Sequence, residues 1–151
     1  MCLSKITKEY KPRLKKKIVV YKVFNVNHEG NPAFPCMSLD SRYLVPMNKV
    51  LTAETKKEST PYNYRTGTGS KSYKTGFHCF VKREDVMKWK GWNATGSVVV
   101  QVEANEIMYR GLQIVTTAGR KPCISVVAHK MLLREADWKA ALKRFRIKIP
   151  K

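Results

Sequence analysis

The stretch Ser97-Val98-Val99-Val100-Gln101-Val102-Glu103 constrains the fold of this chain more than any other. Val98, Val100 and Val102 fall on one face, while Val99, Gln101 and Glu103 fall on the other, the pattern of a strand half buried in a sheet. Such a strand needs partners. Residues 18–24, Ile-Val-Val-Tyr-Lys-Val-Phe, have the β-branched and aromatic content of one, and residues 123–131 supply another. In the latter, Ile124, Val126 and Ala128 face one way and Val127, His129 and Met131 the other. A turn at Gly76 feeds a short aromatic strand over 77–80, which runs into a helix over 83–90 carrying Val86, Met87 and Trp89.

The remaining elements are shorter. Asn105-Glu106 can turn the chain, so residues 107–109 and 112–115 read as further extended segments divided by Gly111. Residues 43–45 form an edge strand stopped by Pro46, which offers no ladder donor. Between Thr52 and Thr75 apolar residues nearly vanish, which predicts a hairpin-like excursion or a long loop. Residues 134–145 place Trp138, Ala141, Leu142 and Phe145 at i, i+3, i+4 and i+7, one face of a helix. At least five strands and two helices give an α+β fold, a single small domain built mainly on antiparallel sheet. Its expected divisions are a basic N-terminal arm over 1–17, a core over 18–133, and a basic amphipathic helix and tail over 134–151.

Charge narrows the function. Thirty Lys and Arg against eleven Asp and Glu leave +19 on 151 residues, which favours polyanionic partners: nucleic acid, a ribonucleoprotein, or an acidic protein surface. Residues 1–24 hold eight cations and one acid, and residues 129–151 hold eight and two, so the ends carry the denser charge. No stretch approaches the roughly 18 apolar residues of a membrane span. Cys2, Cys36, Cys79 and Cys123 stand apart, without metal-ligand spacing, and read as reduced thiols of an intracellular protein. Gly67-Thr68-Gly69-Ser70-Lys71 lacks the spacing of a nucleotide-binding loop, and no cofactor is expected.

Three groups of residues are candidates for binding. Tyr62, Tyr64, Arg65, Lys71, Tyr73 and Lys74 interleave tyrosines that could stack bases with cations that could meet phosphates. Lys15, Lys16 and Lys17 form a solvated basic run. Lys139, Lys143, Arg144, Arg146 and Lys148 flank the apolar face of the last helix and could bind backbone phosphates without reading bases. A different class of function needs His78, His129 and Glu103, or Glu106 in its place, to converge in one cleft, where imidazole and carboxylate could do general acid-base work. Cys79 and Cys123 read as small hydrophobes, and Trp89 as a core residue beside a surface Trp92.

The Met1-Cys2-Leu3 start, the Tyr21-Lys22-Val23-Phe24 strand, Gly76-Phe77-His78, the valine strand 98–103 and Val126-Val127-Ala128 with Met131 resemble, in that order, small proteins of bacterial viruses. That resemblance covers roughly residues 1–132. It implies a virus-encoded protein in the host cytoplasm, one that interferes with a nucleic-acid-directed defence such as a CRISPR effector. The Gly-Phe-His strand beside an aromatic first strand also resembles the ADP-ribosyltransferase architecture, which implies as an alternative a small transferase or hydrolase with a His/Glu cleft.

Overall fold

The structure, a computed structural model, describes residues 3–35, 44–55, 58–59, 72–90, 96–113 and 122–147. Among these the strands are β1 (Lys5–Leu14), β2 (Ile18–Val26), β3 (Pro32–Ala33), β4 (Val50–Thr52), β5 (Glu58–Ser59), β6 (Tyr73–Lys74), β7 (Phe77–Phe80), β8 (Ser97–Gln113) and β9 (Cys123–Leu132). Two short helices, α1 (Arg83–Lys90) and α2 (Glu135–Arg144), complete the fold. It is a small, mostly antiparallel sheet with two helices, so the α+β expectation holds in a form dominated by strand.

β8 organises the sheet. Its first half pairs with β2 from Ile18↔Ala104 to Asn25↔Ser97, and its second half pairs with β9 from Glu103↔Leu132 to Gln113↔Cys123. β7 bridges the other edges of these partners, with Phe77↔Ala128 to Phe80↔Ser125 on β9 and Tyr21↔Phe80 on β2. The pairings β8–β2–β7–β9–β8 therefore close on themselves, which leaves few open edges in the middle of the sheet. β4 extends β9, β3 extends β2, and β5 with β6 forms a separate two-stranded piece at the ends of the polar excursion.

Within the span expected as a basic arm, β1 is a strand of the sheet, paired with β8 from Lys5↔Leu112 to Leu14↔Ile107. β1 and β2 thus follow one another along the same edge of β8, and Lys15, Lys16 and Lys17 form the exposed step between them. Gly111 makes this docking possible, because a Cβ there would fall 2.9 Å from Leu3 Cδ1 and overlap the backbone of Lys5.

The expected turn at Asn105-Glu106 is absent, and β8 runs through it as a single strand of 17 residues. Glu106 instead adopts φ 52°, a left-handed conformation that costs a residue with a Cβ roughly 1–2 kcal/mol. Its N–H donates to Asn105 Oδ1 at 2.7 Å. The kink breaks the alternation of side chains on β9 opposite it. Met131 joins the cluster of Val126 and Ala128, while Val127 enters a different one, so the expected grouping of Met131 with Val127 does not hold.

The main core gathers Val20, Phe24, Val98, Val100, Val102, Ile107, Val126 and Met131 against Trp138, Ala141 and Leu142 of α2. Val99 takes the other face with Val23, Phe80, Cys123 and Val86 of α1, so β8 is buried on both sides there. Burying each large side chain contributes roughly 1.5–3 kcal/mol. α2 is anchored through its first turn. The Glu135 N–H donates to Asn48 Oδ1 at 3.0 Å in place of a cap from Arg134, and Trp138 Nε1–H donates to the Gly30 carbonyl at 3.0 Å.

Candidate functional site

β1 lies at the edge of the sheet and carries exposed Lys5, Lys8 and Lys11 ahead of the exposed Lys15–Lys17 step. Between β1, β6 and β8 lies an open groove of about 240 Å³, lined by Glu9, Tyr10, Lys11, Pro12, Arg13, Lys74, Met108 and Tyr109. Its positions follow from the fold. β1 brings Tyr10, Lys11 and Arg13, β8 brings Met108 and Tyr109, and the two-stranded β5–β6 piece brings exposed Lys74. Tyr10 packs one side against the main core, and Lys8 Nζ sits 5.0 Å from its ring centroid. Tyr109 is buried as floor, its hydroxyl accepting from the Lys74 N–H at 3.4 Å. The groove presents three cations against one acid, with Lys11 3.1 Å from Glu9.

Two carboxylates of β8 hold the neighbouring cations in place. Glu106 meets Lys130 Nζ at 2.6 Å and Arg13 Nη1 at 3.3 Å, and lies 3.9 Å from His129 Nε2. The hydrogen bond from Lys130, and then that from Arg13, keeps its carboxyl below the usual range although burial opposes this. Glu103 meets Lys17 Nζ at 3.3 Å and Arg134 Nη2 at 3.2 Å, and the Lys17 bond is the main cause of its lowered pKa. Glu103 thereby ties the lysine step to the residue that precedes α2. These four cations outnumber the two carboxylates, so the surface beside the groove keeps a net positive charge.

The candidate residues are distributed as follows. Lys15, Lys16, Lys17 and Lys74 are exposed; Lys74 lines the groove, and the lysine step follows in the chain two residues after Arg13, which also lines it. Lys139, Lys143, Arg144 and Arg146 are exposed on or just after α2, with Lys139 paired to Glu135 at 2.7 Å. Tyr62, Tyr64, Arg65, Lys71 and Lys148 lie outside the described residues, as do Trp92, Cys2, Cys36 and the side chain of Trp89. Tyr73 is 2% exposed, packed at 5.4 Å edge-on to Tyr109 with Leu3, Met108 and Val127 around it. It offers no open face to a base. Its role is structural.

That role involves His78. The Tyr73 hydroxyl accepts the Leu3 N–H at 2.8 Å and lies 2.8 Å from His78 Nε2. Because the imidazole also hydrogen-bonds the Gly76 carbonyl, Nδ1 is the donor, and Nε2 accepts from Tyr73. Burial, reinforced by the charge of Lys22, pushes the His78 pKa down to about 3, so the ring is neutral. Lys22 is itself buried, donating to the His78 carbonyl at 2.8 Å.

His78, His129 and Glu103 do not form the expected cleft: among the described residues no hydrogen bond or ion pair joins any two of them. His78 is spoken for in the core, Glu103 by Lys17 and Arg134, and His129 lies opposite Glu106, its pKa lowered by burial first and then by Arg13. Cys79 and Cys123 are buried thiols outside any disulfide, and burial pushes the Cys79 pKa up, which makes it a core group. Among the described residues no group of three or more His, Cys, Asp or Glu could hold a metal, and no helix is long and apolar enough to cross a membrane.

Tyr10, Lys11, Arg13 and Tyr109 were not singled out from the sequence. The available signal was the run Lys5 to Lys17 itself, in which Ile6 and Tyr10 interrupt the charges at strand-like spacing. No family model matches the chain, and neither a curated protein nor a solved structure matches it.

Proposed function

We propose that the protein binds single-stranded nucleic acid, alone or within a ribonucleoprotein, through the groove of Lys11, Arg13 and Lys74 and the adjoining step Lys15–Lys17. The observation that carries this reading is the gathering of cations from β1 and β6 in one open, tyrosine-bearing groove, with the exposed lysine step following two residues after Arg13. Phosphates would be held by charge and by the arginine fork. With Tyr109 buried and Tyr10 half covered by Lys8 and the core, stacking contributes at one ring at most, so the binding is largely indifferent to sequence. No catalytic step is assigned, since His78 is held in the core by Tyr73, apart from the contact of His129 with Glu106. In the viral setting that the resemblance implies, such binding would act on the nucleic acid of a host defence complex.

A mobility-shift assay with single-stranded RNA and DNA of mixed sequence tests this. The expected result is retention of both at low salt, lost when Lys11, Arg13 and Lys74 are replaced together by glutamine. Capture of a cellular protein that survives nuclease treatment, with no retention of either oligonucleotide, would overturn the reading in favour of an acidic protein partner.

A further inference from the structure

A second cavity, of about 380 Å³, lies where α1 and α2 meet the first half of the sheet, away from the residues that line the groove. Arg83, the first residue of α1, and Arg144, from the last turn of α2, both line it. Arg83 Nε is buried without a hydrogen-bond partner. No ion pair joins the side chain of Arg83, Arg144 or Asp137 to another residue among the described ones. A charged donor shut away from water and left unpaired is costly, and a guanidinium presents Nε–H and Nη–H as a fork matched to two oxygens of one anion.

The rest of the lining sharpens the ligand. Tyr21 and Gln101 add neutral polar groups, and Val99 forms an apolar floor. The helix contributes small Ala140 and Ala141 at this point, which leaves the space open. Two forks with an amide and a phenol offer more donors than the lone pairs of one carboxylate can use, but suit the three outer oxygens of a phosphate. Asp137, an acceptor only, suits a hydroxyl on the body that carries it.

We infer that this cavity is a binding site for a phosphomonoester on a small hydroxyl-bearing carrier, gripped between Arg83 and Arg144. The phosphate could arrive on a free sugar phosphate or as the 5′ end of a nucleic acid strand; both present the same group to the arginines. The site is independent of the groove proposed above.

The test follows the Arg83 Nε–H resonance in the nitrogen-15 spectrum of the whole chain, identified by its loss in Arg83→Lys, during titration at ionic strength held constant with chloride. Inorganic phosphate and ribose 5-phosphate should each move it to saturation, with ribose 5-phosphate the tighter. Arg144→Gln should weaken both by about tenfold, whereas Arg146→Gln, which does not line the cavity, should leave them unchanged. Unchanged circular dichroism and melting temperature would show that these variants fold. A 5′-phosphorylated single strand that outcompetes both its unphosphorylated twin and ribose 5-phosphate would assign the source to a strand end; equal or weaker competition would assign it to a free sugar phosphate. A resonance that does not move, or that drifts without saturating and does so equally in Arg144→Gln, would overturn the inference, because the phosphate would then be sensing only the overall charge.

Discussion

His78 should make the fold sensitive to mild acid. In the native protein its ring donates to the Gly76 carbonyl, accepts from Tyr73, and is held neutral down to about pH 3 by burial and by Lys22. In the unfolded chain an ordinary histidine takes up its proton near pH 6.5. Between these values the unfolded state binds the extra proton, so stability is lost as pH falls through 6.5 and continues to be lost until about 3. The expected slope is about 1.4 kcal/mol per pH unit, or about 5 kcal/mol over the whole window. That is a large share of the 5–15 kcal/mol that stabilises a typical domain. Glu103, Glu106 and Glu135, whose pKa values are lowered, add losses only as pH falls below the ordinary carboxylate range. His129, also lowered, contributes in the same direction and is common to both proteins compared.

The assay is urea unfolding followed by tryptophan fluorescence, for the wild type and His78→Phe, at steps from pH 7 to pH 4.5. Between pH 6.5 and 4.5 the wild type should lose about 2–3 kcal/mol more than the variant. At pH 7 the variant itself should be less stable by about 1–3 kcal/mol, because the buried hydrogen bond between the Tyr73 hydroxyl and His78 is lost. Parallel stability curves for the two proteins would refute the reasoning, since the imidazole would then be titrating equally in both states.

Other perturbations separate the remaining parts of the account. Gly111→Ala should force β1 away from β8, costing about 1–3 kcal/mol and opening β1 to limited proteolysis, with cleavage before Leu14 as the readout. Trp138→Phe removes the indole N–H from the Gly30 carbonyl and leaves space in the core, so a melting-temperature drop of several degrees is expected for about 1–3 kcal/mol. Glu103→Gln with Glu106→Gln releases Lys17, Arg134, Arg13 and Lys130 from their carboxylates and adds two positive charges; anisotropy with a single-stranded oligonucleotide should show tighter binding, and weaker binding would mean that the carboxylates position the cations for the ligand.

Periodicity made the strands built on valine and the two helices legible. Residues 83–90 form the expected helix, with Val86 in the core but Met87 exposed, and the Trp138 face of α2 stands where the i, i+3, i+4 spacing puts it, because Trp138, Ala141 and Leu142 are buried together. Three features were not legible. β1 carries charges on both sides of Ile6 and Tyr10, and a lone edge strand needs few apolar residues, so nothing in its pattern announces pairing with β8. The Asn105-Glu106 pair carries turn chemistry that a left-handed Glu106, supported by Asn105 and two nearby cations, absorbs within a single strand. Tyr73 reads in sequence like its exposed-looking neighbours, and only the return of β7 beside it, with Leu3 arriving from the chain's start, places its ring in the core. For the same reason the groove's tyrosines are Tyr10 and Tyr109, far apart in sequence and joined by the register of β1 on β8.

The most direct test of the groove is the salt dependence of single-strand binding in two charge-matched variants. One replaces Lys11, Lys15 and Lys74 with glutamine, and the other replaces Lys139, Lys143 and Arg146. If about six cations at the groove and its step meet phosphates, log K against log salt should have a slope of about −4, roughly a 300-fold loss between 50 and 200 mM salt. The groove variant should fall to a slope of about −2, while the α2 variant keeps the wild-type slope. Equal reductions in the two variants would contradict the account, because binding would then follow the total charge and not the place where β1, β6 and β8 bring it together.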